Sequence, residues 1–254
     1  MKISIITPSY NQGQFIEDNI LSVLNQNYNN YEHIIIDACS TDNTVNILKK
    51  YSHLKWISEP DKGQSNALNK GFKIASGDII GWLNADDLYE NNAFEIISNY
   101  FTKYKNIDLI YGDYYIIDQN NKIIRRMRVP KYDYNTFLIT GCYIPTTSSF
   151  FKKYIFEKEL IDEKYSYCMD FEFYLRLSKK FKFKEIHNCL AKFRYHLDEK
   201  SVAFKDLRIK ESFDIKYKYS NKLYYEQFIK NKYIYNLINI IYLIKKQQLK
   251  YLNI

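Results

Sequence analysis

Short apolar segments of strand length alternate with amphipathic segments along the first half of the chain. In the amphipathic segments, apolar residues recur every three or four positions, which is the period of a helix that packs on one face. Regular alternation of this kind predicts a parallel sheet with helices on its faces. We therefore expect an α/β fold, with strands at 3–7, 33–37, 56–58, 79–83 and 109–111 and helices at 15–24, 45–48, 66–75 and 94–101.

The second half of the chain has a less regular pattern. It predicts strands at 122–129, 147–151 and 189–195, a helix at 171–177, and a helical segment from about residue 206 onward. No G-x-G-x-x-G follows the first strand, which disfavours a dinucleotide-binding domain. A nucleotidyltransferase would also need a glycine-rich loop there, and Pro8-Ser9-Tyr10-Asn11 is not such a loop.

Composition and cysteine usage narrow the class of protein. The 254 residues can bury a large core, and 46% hydrophobic with 26% charged residues is ordinary for a folded chain. The four cysteines are scattered without a C-x-x-C, which favours a reducing compartment. No secretory signal pattern precedes the first strand, and the longest apolar run, 233–244, is too short to span a bilayer. We expect a cytoplasmic protein, with the inner face of the cell membrane as the alternative location.

The net charge of +8 is concentrated near the C-terminus. Residues 201–254 hold 11 Lys and Arg against 4 Asp and Glu, a local +7, so residues 1–200 carry only +1. Lysines and tyrosines alternate there ahead of the apolar run, which suits the surface of an anionic membrane. Alternatively, the segment packs on the folded body or on a second subunit, which leaves an oligomer open. Lys and Tyr could also bind nucleic acid, but we expect no nucleic-acid partner.

The most informative segment is the apolar run 79–83, which leads into Asn84-Ala85-Asp86-Asp87. In open α/β sheets, ligands bind in the crevice beyond the carboxyl ends of the strands. Two carboxylates at such an end would suit a divalent cation and a phosphate ligand bound to it. The alternative is that the acids only cap the next helix, since Asp accepts hydrogen bonds from helix N–H groups.

Five segments in order, followed by two later ones, resemble the family 2 glycosyltransferases. The resemblance reaches from the first strand to about residue 200. Its segments are Thr7-Pro8-Ser9-Tyr10-Asn11, Ile36-Asp37-x-x-Ser40-Thr41-Asp42, Glu59-Pro60-Asp61-Lys62-Gly63, Ala67-Leu68-Asn69-Lys70-Gly71, Leu83-Asn84-Ala85-Asp86-Asp87, Met169-Asp170-Phe171-Glu172-Phe173-Tyr174-Leu175-Arg176 and Phe193-Arg194-Tyr195-His196.

The resemblance implies a GT-A fold, which is Rossmann-like, with a mostly parallel central sheet flanked by helices and here a helical C-terminal extension. Residues 1–115 would form the nucleotide-sugar-binding half, 116–203 the acceptor-binding half, and 204–254 the basic, aromatic extension. The implied activity is inverting transfer of a hexosyl or N-acetylhexosaminyl group from a nucleotide-diphosphate sugar, a UDP-sugar by preference. The acceptor would be a hydroxyl of a glycan or lipid-linked oligosaccharide in surface-polysaccharide synthesis. The alternative is a non-catalytic module that binds a nucleotide sugar or glycan on the same fold.

The resemblance also implies roles for individual residues, and several have an ordinary structural alternative. Asp37 could simply end its strand without contacting a ligand. Lys62 could be a solvated loop residue, and His196 could be an ordinary surface or core histidine. Family members usually have an acid where Asn84 stands, and many have one at Ala38. The implied nucleotide-sugar contacts are Thr7, Pro8, Tyr10, Asp37, Lys62, Asn84 and Asp86, and the implied ligands of Mn²⁺ or Mg²⁺ are Asp86, Asp87 and His196.

Asp170 is the implied general base. It would take the proton of the acceptor hydroxyl as that hydroxyl attacks the anomeric carbon. The alternative is that Asp170 only caps its helix and that Glu172 is exposed. We further expect that replacing Asp86 or Asp87 with Ala removes transfer and leaves the fold intact.

Overall fold

The computed structural model describes residues 1–195 and 205–220. The strands are β1 Ile3–Ser9, β2 Tyr31–Asp37, β3 Lys55–Ser58, β4 Ile79–Trp82, β5 Leu88–Tyr89, β6 Leu109–Ile117, β7 Ile123–Met127, β8 Ser149–Lys152 and β9 Phe183–Arg194. The helices are α1 Ile16–Leu24, α2 Thr44–Leu48, α3 Gln64–Ile74, α4 Ala93–Lys103, α5 Tyr134–Thr140, α6 Tyr154–Lys158, α7 Met169–Ser178 and α8 Lys205–Tyr219.

The strands form one sheet in the order β3-β2-β1-β4-β8-β6-β9-β5, with β7 also paired to β6. The predicted α/β fold is confirmed, and its first four strands in this order are parallel, as the strand–helix alternation predicts. The second half adds antiparallel pairs, because β8 runs against both β4 and β6. Strand β7 follows β6 through a short turn, which joins antiparallel strands only.

The register of the parallel strands brings three loops to one edge of the sheet. Ser9 at the end of β1 is opposite Asp37 at the end of β2, and Asp37 is opposite Ser58 at the end of β3. Strand β4 ends at Trp82, opposite Ile6, so the acidic loop 83–87 continues past the end of β1. The residues implied by the resemblance at these strand ends therefore share an edge.

Apolar side chains on both faces of the sheet hold the helices against it. Trp82 is almost fully buried in the cluster that also contains Ile6 and residues of α3 and α7. Helix α3 approaches the sheet closely at Gly71, where a Cβ atom would lie 2.3 Å from Cγ2 of Ile6. Only glycine allows this approach without a shift of the helix, so Gly71 sets the position of α3 over β1.

Helix α8 is the described part of the predicted C-terminal extension, and it packs on the body of the protein. Ile215 is fully buried, and Nζ of Lys216 donates to the carbonyl oxygen of Ile139 over 2.8 Å. The hydroxyl of Tyr219 donates to Oε1 of Glu172 over 2.5 Å. The apolar run 233–244 lies outside the described residues. Among the helices described, none is long and apolar enough to cross a membrane.

Candidate active site

Asp87 is a fully buried carboxylate at the end of the acidic loop. Its Oδ2 accepts from the hydroxyl of Thr147 over 2.6 Å, and its Oδ1 accepts from the backbone N–H of Arg194 over 2.9 Å. A buried carboxylate with two such donors holds the loop to β9 and to the segment before β8. The expectation that its removal leaves the fold intact is therefore at odds with these contacts, because the donors would lose their acceptor in the core.

Asp86 differs from its neighbour because its side chain is only half-buried. Its carbonyl oxygen accepts from Nε of Arg194 over 2.8 Å. On the other side, the amide of Asn19 donates to the carbonyl oxygens of Asn84 and Asp87 over 2.8 and 2.9 Å. The backbone on both sides of Asp86 is thus fixed, and its carboxylate is the more accessible of the two.

The side-chain oxygen of Asn84 accepts from two donors, Nε1 of Trp82 and Nε2 of Gln64, each over 2.9 Å. An indole N–H can only donate, so the atom of Asn84 that faces Trp82 is the oxygen. The amide nitrogen is then directed toward Oδ2 of Asp87, 3.4 Å away. Asn84 therefore links β4, α3 and the acidic loop, and an aspartate here would bring a second charge beside Asp87.

The loops after β1 and β2 are bonded to each other. The backbone N–H of Asn11 donates to the hydroxyl of Ser40, and Oδ1 of Asn11 accepts from the backbone N–H of Thr41, both over 2.8 Å. The N–H of Gly13 donates to Oδ2 of Asp42, also over 2.8 Å. These bonds make one continuous wall from the first two loops.

The residues implied as nucleotide contacts differ in exposure along this wall. Thr7 is fully buried, and its hydroxyl lies 3.0 Å from Nε2 of His33. Pro8 is buried, whereas Tyr10 is 59% exposed at the edge of the sheet. Of these residues, Tyr10 is the one whose ring is accessible to a ligand, and the nucleotide contacts stay predictions.

Asp37 is fully buried and accepts three hydrogen bonds from its own surroundings. Its Oδ2 accepts from the backbone N–H of Ser40 over 3.0 Å and from the hydroxyl of Ser58 over 2.6 Å. Its Oδ1 accepts from the hydroxyl of Ser40 over 2.5 Å. These contacts match the structural alternative, in which Asp37 ends β2 and holds the next turn. Lys62 is exposed in the loop before α3.

Asp170 lies in the first turn of α7, half-buried and closely surrounded by protein. Its Oδ1 accepts from the backbone N–H of Phe171 over 2.8 Å. Burial raises its pKa, partly offset by that bond and by a hydrogen bond from the thiol of Cys142. The alternative in which Asp170 only caps the helix and Glu172 is exposed is wrong in its second half, because Glu172 is fully buried.

The N-terminus of α3 connects Asp170 to the acidic loop. Gln64 bonds to Asn84, and the hydroxyl of its neighbour Ser65 donates to the carbonyl oxygen of Tyr165 over 3.0 Å. The same hydroxyl is 2.8 Å from Sδ of Met169, the residue before Asp170. A second connection is the segment before β8, in which Thr147 bonds to Asp87 and Cys142 bonds to Asp170. The structure thus joins the C-terminal end of β4 to the N-terminal end of α7.

A divalent cation would have few protein ligands at this site. Within residues 1–195 and 205–220, no three His, Cys, Asp or Glu side chains cluster as a metal site. Mg²⁺ commonly keeps several waters and binds one or two carboxylates together with substrate phosphates, and Mn²⁺ has similar ligands. The half-buried Asp86, whose backbone is held on both sides, fits a shared site of this kind better than the fully buried Asp87. His196, the third implied ligand, lies outside the described residues.

Arg194 is the residue at the site whose role the sequence pattern missed. It is fully buried, its guanidinium carbon lies 4.7 Å from the ring centroid of Phe15, and Nη2 lies 3.4 Å from Oδ2 of Asp18. A buried arginine is rare, since its charge needs partners. The available signal in the sequence was that Arg194 lies two residues before His196, in a segment that resembles the family. Its own contacts gave no signal, because all of its partners are distant in sequence.

Comparison with known sequences finds glycosyltransferases that match the part of the chain containing this site. The family model described as Glycosyl transferase family 2 matches residues 4–198. An uncharacterized glycosyltransferase of Rickettsia typhi is 32% identical over 207 residues, which are 76% of this chain and 64% of the relative. The Escherichia coli UDP-Glc:alpha-D-GlcNAc-diphosphoundecaprenol beta-1,3-glucosyltransferase WfgD is 39% identical over 140 residues, 54% of each chain. The chain thus spans between 54% and 64% of these relatives' length.

Two solved structures have the same fold. Staphylococcus aureus TarS 1-349 in complex with UDP has a TM-score of 0.65 at 16% identity, covering 85% of this chain and 64% of that one. The mannosyltransferase PcManGT from Pyrobaculum calidifontis, in complex with GDP-Man and Mn²⁺, has a TM-score of 0.63 at 14% identity, covering 85% and 63%. At these identities the likeness establishes the fold alone, and it confirms the predicted GT-A architecture.

Proposed function

Because the chain belongs to glycosyl transferase family 2, we propose that it moves a sugar from a nucleotide-diphosphate donor to a hydroxyl of a glycan or lipid-linked acceptor. The observation that supports the proposal is that α3 joins the acidic loop, which contains Asp86, to the start of α7, which contains Asp170. Gln64 donates to Asn84 in the acidic loop, and the hydroxyl of the adjacent Ser65 donates to the carbonyl oxygen of Tyr165 and lies 2.8 Å from Sδ of Met169 at the start of α7. In this proposal the half-buried carboxylate of Asp86 serves the donor and the carboxylate of Asp170, whose pKa is raised, serves the acceptor.

The donor in this proposal is a UDP-sugar that carries a hexosyl or N-acetylhexosaminyl group. The support comes from proteins of the same family or fold, since the name of WfgD specifies UDP-Glc and TarS was solved with UDP. PcManGT was solved with GDP-Man, so the fold accepts more than one base. The two bonded loops after β1 and β2 form the wall against which the nucleotide would lie, with Tyr10 as the accessible ring beside the base.

A divalent cation, Mn²⁺ or Mg²⁺, would be held by Asp86 and the donor diphosphate. Bound there, it would offset the negative charge that develops on the departing nucleoside diphosphate. PcManGT was solved with Mn²⁺. Arg194 and Asn19 hold the backbone around Asp86, so the carboxylate is positioned before the donor binds.

Asp170 would accept the proton of the attacking hydroxyl. Because burial raises its pKa, its carboxylate is a stronger proton acceptor than an exposed aspartate. A single attack opposite the leaving nucleotide inverts the anomeric configuration, so an α-linked donor would give a β-linked product. The bond that breaks joins the anomeric carbon to the diphosphate oxygen, and the proton passes to the carboxylate of Asp170.

The acceptor is proposed to belong to surface-polysaccharide synthesis and to be presented on a lipid. The name of WfgD specifies an acceptor linked to diphosphoundecaprenol. Residues 221–254, which lie outside the described residues, would then contact the anionic membrane from its cytoplasmic side with their lysines and tyrosines. Helix α8 itself is engaged with the body, since Lys216 and Tyr219 bond to Ile139 and Glu172.

A screen of nucleotide sugars tests the proposal. The full chain is incubated with UDP-glucose, UDP-galactose, UDP-N-acetylglucosamine and GDP-mannose, each with Mn²⁺ or with a chelator, and nucleoside diphosphate release is measured. The proposal predicts slow, metal-dependent release from at least one UDP-sugar. Binding of UDP without release from any donor, with or without a lipid extract as acceptor, would favour the non-catalytic alternative.

A further inference from the structure

Helix α8 supplies a carboxylate to the backbone just before α7. Oε1 of Glu211 accepts from the N–H of Ser166 over 2.9 Å. Oε2 accepts from the N–H of Tyr167 over 2.8 Å and from that of Cys168 over 2.9 Å. Cys168 is the N-terminal cap residue of α7, just before Met169, and its own side chain makes no capping bond. One carboxylate therefore binds three consecutive N–H groups.

One of these contacts is made to the N-terminus of α7, where Cys168 is the cap residue, and the other two are made to the residues just before it. The first N–H groups of a helix have no partner within it, and the positive end of the helix dipole favours a negative charge there. Hydrogen bonds to an ionised carboxylate are stronger than those between neutral groups. Glu211 thus fixes both the direction of the chain that enters α7 and the position of its first turn.

Asp170 is the second residue of that first turn. Its carboxylate is bonded to the N–H of Phe171, so its position follows the backbone that Glu211 holds. Among the residues that the structure describes, the titratable groups that face Asp170 are Cys142 from the segment before β8, Cys168 and Tyr174 from the cap and body of its own helix, and Glu211 from α8. The negative charge of Glu211 contributes to the raised pKa of Asp170.

We infer that Glu211 is a positioning residue for Asp170, so that α8, which follows the residues 4–198 matched by the family model, forms part of the active site. The inference rests on the proposed role of Asp170 as general base. It assigns no contact between Glu211 and substrate. Its action is on the backbone of 166–168 and on the proton affinity of Asp170.

Other contacts keep α8 in place when Glu211 is changed. Ile215 is fully buried, Lys216 bonds to Ile139, and Tyr219 bonds to Glu172 on α7. Substitution of Glu211 is therefore expected to release the start of α7 without releasing the helix. Asp214 provides a matched control, because it is exposed one turn further along α8 and its replacement by Asn removes the same charge.

The first measurement is amide hydrogen exchange of the full-length Glu211→Gln, Glu211→Ala and Asp214→Asn proteins. The amides of 166–168 should exchange about fivefold faster or more in Glu211→Ala, because all three of their hydrogen bonds to the carboxylate are lost. Glu211→Gln should be intermediate, since it keeps one acceptor oxygen. Asp214→Asn should match the wild type. Unchanged exchange at 166–168 in both Glu211 variants would overturn the inference.

The second measurement is the pH dependence of kcat for donor turnover, with UDP affinity in Mn²⁺ as the binding control. Glu211→Gln should lower kcat about tenfold or more, because a displaced base loses its alignment. The acid limb of the kcat profile, which is the low-pH side on which activity is lost, should move to lower pH in this variant. Removal of a nearby negative charge makes the Asp170 carboxylate easier to form. UDP affinity and the Asp214→Asn profile should stay at wild-type values.

Failure of the inference can be told apart from failure of the proposed function. If Asp170→Asn is inactive while Glu211→Gln keeps wild-type kcat and acid limb, the base is retained and the positioning role is overturned. If Asp170→Asn keeps wild-type turnover, the base assignment is lost, and the positioning role of Glu211 is lost with it. A drop in kcat with an unmoved acid limb, and with faster exchange in α8 but not at 166–168, would also contradict the inference.

Discussion

The backbone N–H of Arg194 donates to Oδ1 of Asp87 over 2.9 Å, which joins the last residue of β9 to the acidic loop after β4. Nε of the same arginine donates to the carbonyl oxygen of Asp86 over 2.8 Å. Arg194 thus holds the two adjacent acids in different ways. Its backbone N–H binds the carboxylate of Asp87, and its guanidinium binds the backbone carbonyl of Asp86. Asp86 is therefore held through its backbone and has a half-buried carboxylate, whereas the carboxylate of Asp87 is fully buried and holds the loop to β9.

The two acids should therefore respond differently to substitution. Asp87→Ala removes the acceptor for Thr147 and Arg194 in the core and should lower the free energy of unfolding by about 3 kcal/mol. Asp86→Ala should lower it by less than about 1 kcal/mol, because that side chain is half-buried. Urea unfolding of both variants measures the difference. Equal losses would mean that the two carboxylates are equivalent in the fold.

Asp86 should control the metal dependence of nucleotide binding. In the wild type, Mn²⁺ should raise the affinity for UDP about tenfold or more, because Asp86 and the diphosphate would hold the cation together. Asp86→Asn should bind UDP equally with and without Mn²⁺. Calorimetric titration of both proteins provides the measurement, with Asp170→Asn as the control that keeps the metal effect. A metal effect of full size in Asp86→Asn would exclude Asp86 as a ligand.

Asp170 should set the acid limb of activity. The base must be ionised, so activity is present above the pKa of Asp170 and is lost as pH falls through it. Since burial raises that pKa, the limb should lie above the ordinary range of an aspartate. Asp170→Asn should lower kcat by about two to four orders of magnitude with UDP affinity unchanged. An equal collapse of affinity would instead assign Asp170 to donor binding.

His33 should make stability fall in mildly acidic solution. Burial first, and the nearby His53 second, lower its pKa to about 3, so the folded state excludes a proton that the unfolded chain binds below about pH 6.5. The stability present above pH 6.5 is therefore lost as pH falls, by about 2 kcal/mol at pH 5. Glu32, whose pKa is also lowered, does not account for this loss, because its contribution falls only as pH drops below the ordinary range of a glutamate, which lies under about pH 5.

Urea midpoints between pH 7 and pH 5 measure this slope. His33→Gln can still bond to the hydroxyl of Thr7 but does not titrate, so its slope should be smaller than that of the wild type. His53→Gln serves as the control for the second histidine, whose pKa is also lowered by burial. An identical slope in His33→Gln and wild type would remove His33 as the source.

The C-terminal residues should carry any membrane contact without the help of α8. A chain that ends near Val202 is not a suitable comparison, because it would lose Ile215 and Glu211 together with the residues after α8. A chain that ends at Ser220 keeps both. Flotation with anionic liposomes should recover the full chain in the lipid fraction and leave the shortened one behind. Recovery of the full chain should fall at high salt, because salt screens the attraction of its lysines to the lipid phosphates. Equal recovery of the two proteins would give residues 221–254 no part in membrane contact.

The parts of this molecule that depend on local pattern were predictable. Alternation of strands and helices located β1 to β4, and the motif after β4 located Asp86. Contacts between distant residues were not, since nothing near Glu211 indicates that it binds the backbone 43 to 45 residues earlier. The burial of Asp87 beside a half-buried Asp86 was also hidden, because it depends on Thr147 and Arg194 folding around it.

The most direct test of the central claim is the rate of UDP release from the preferred UDP-sugar in Mn²⁺, measured for four full-length proteins. These are the wild type, Asp86→Asn, Asp170→Asn and the exposed control Asp214→Asn. If Asp86 serves the donor and Asp170 serves the acceptor, the first two variants lose release by about two orders of magnitude or more. The control keeps the wild-type rate. Release at the wild-type rate by both site variants would contradict the account.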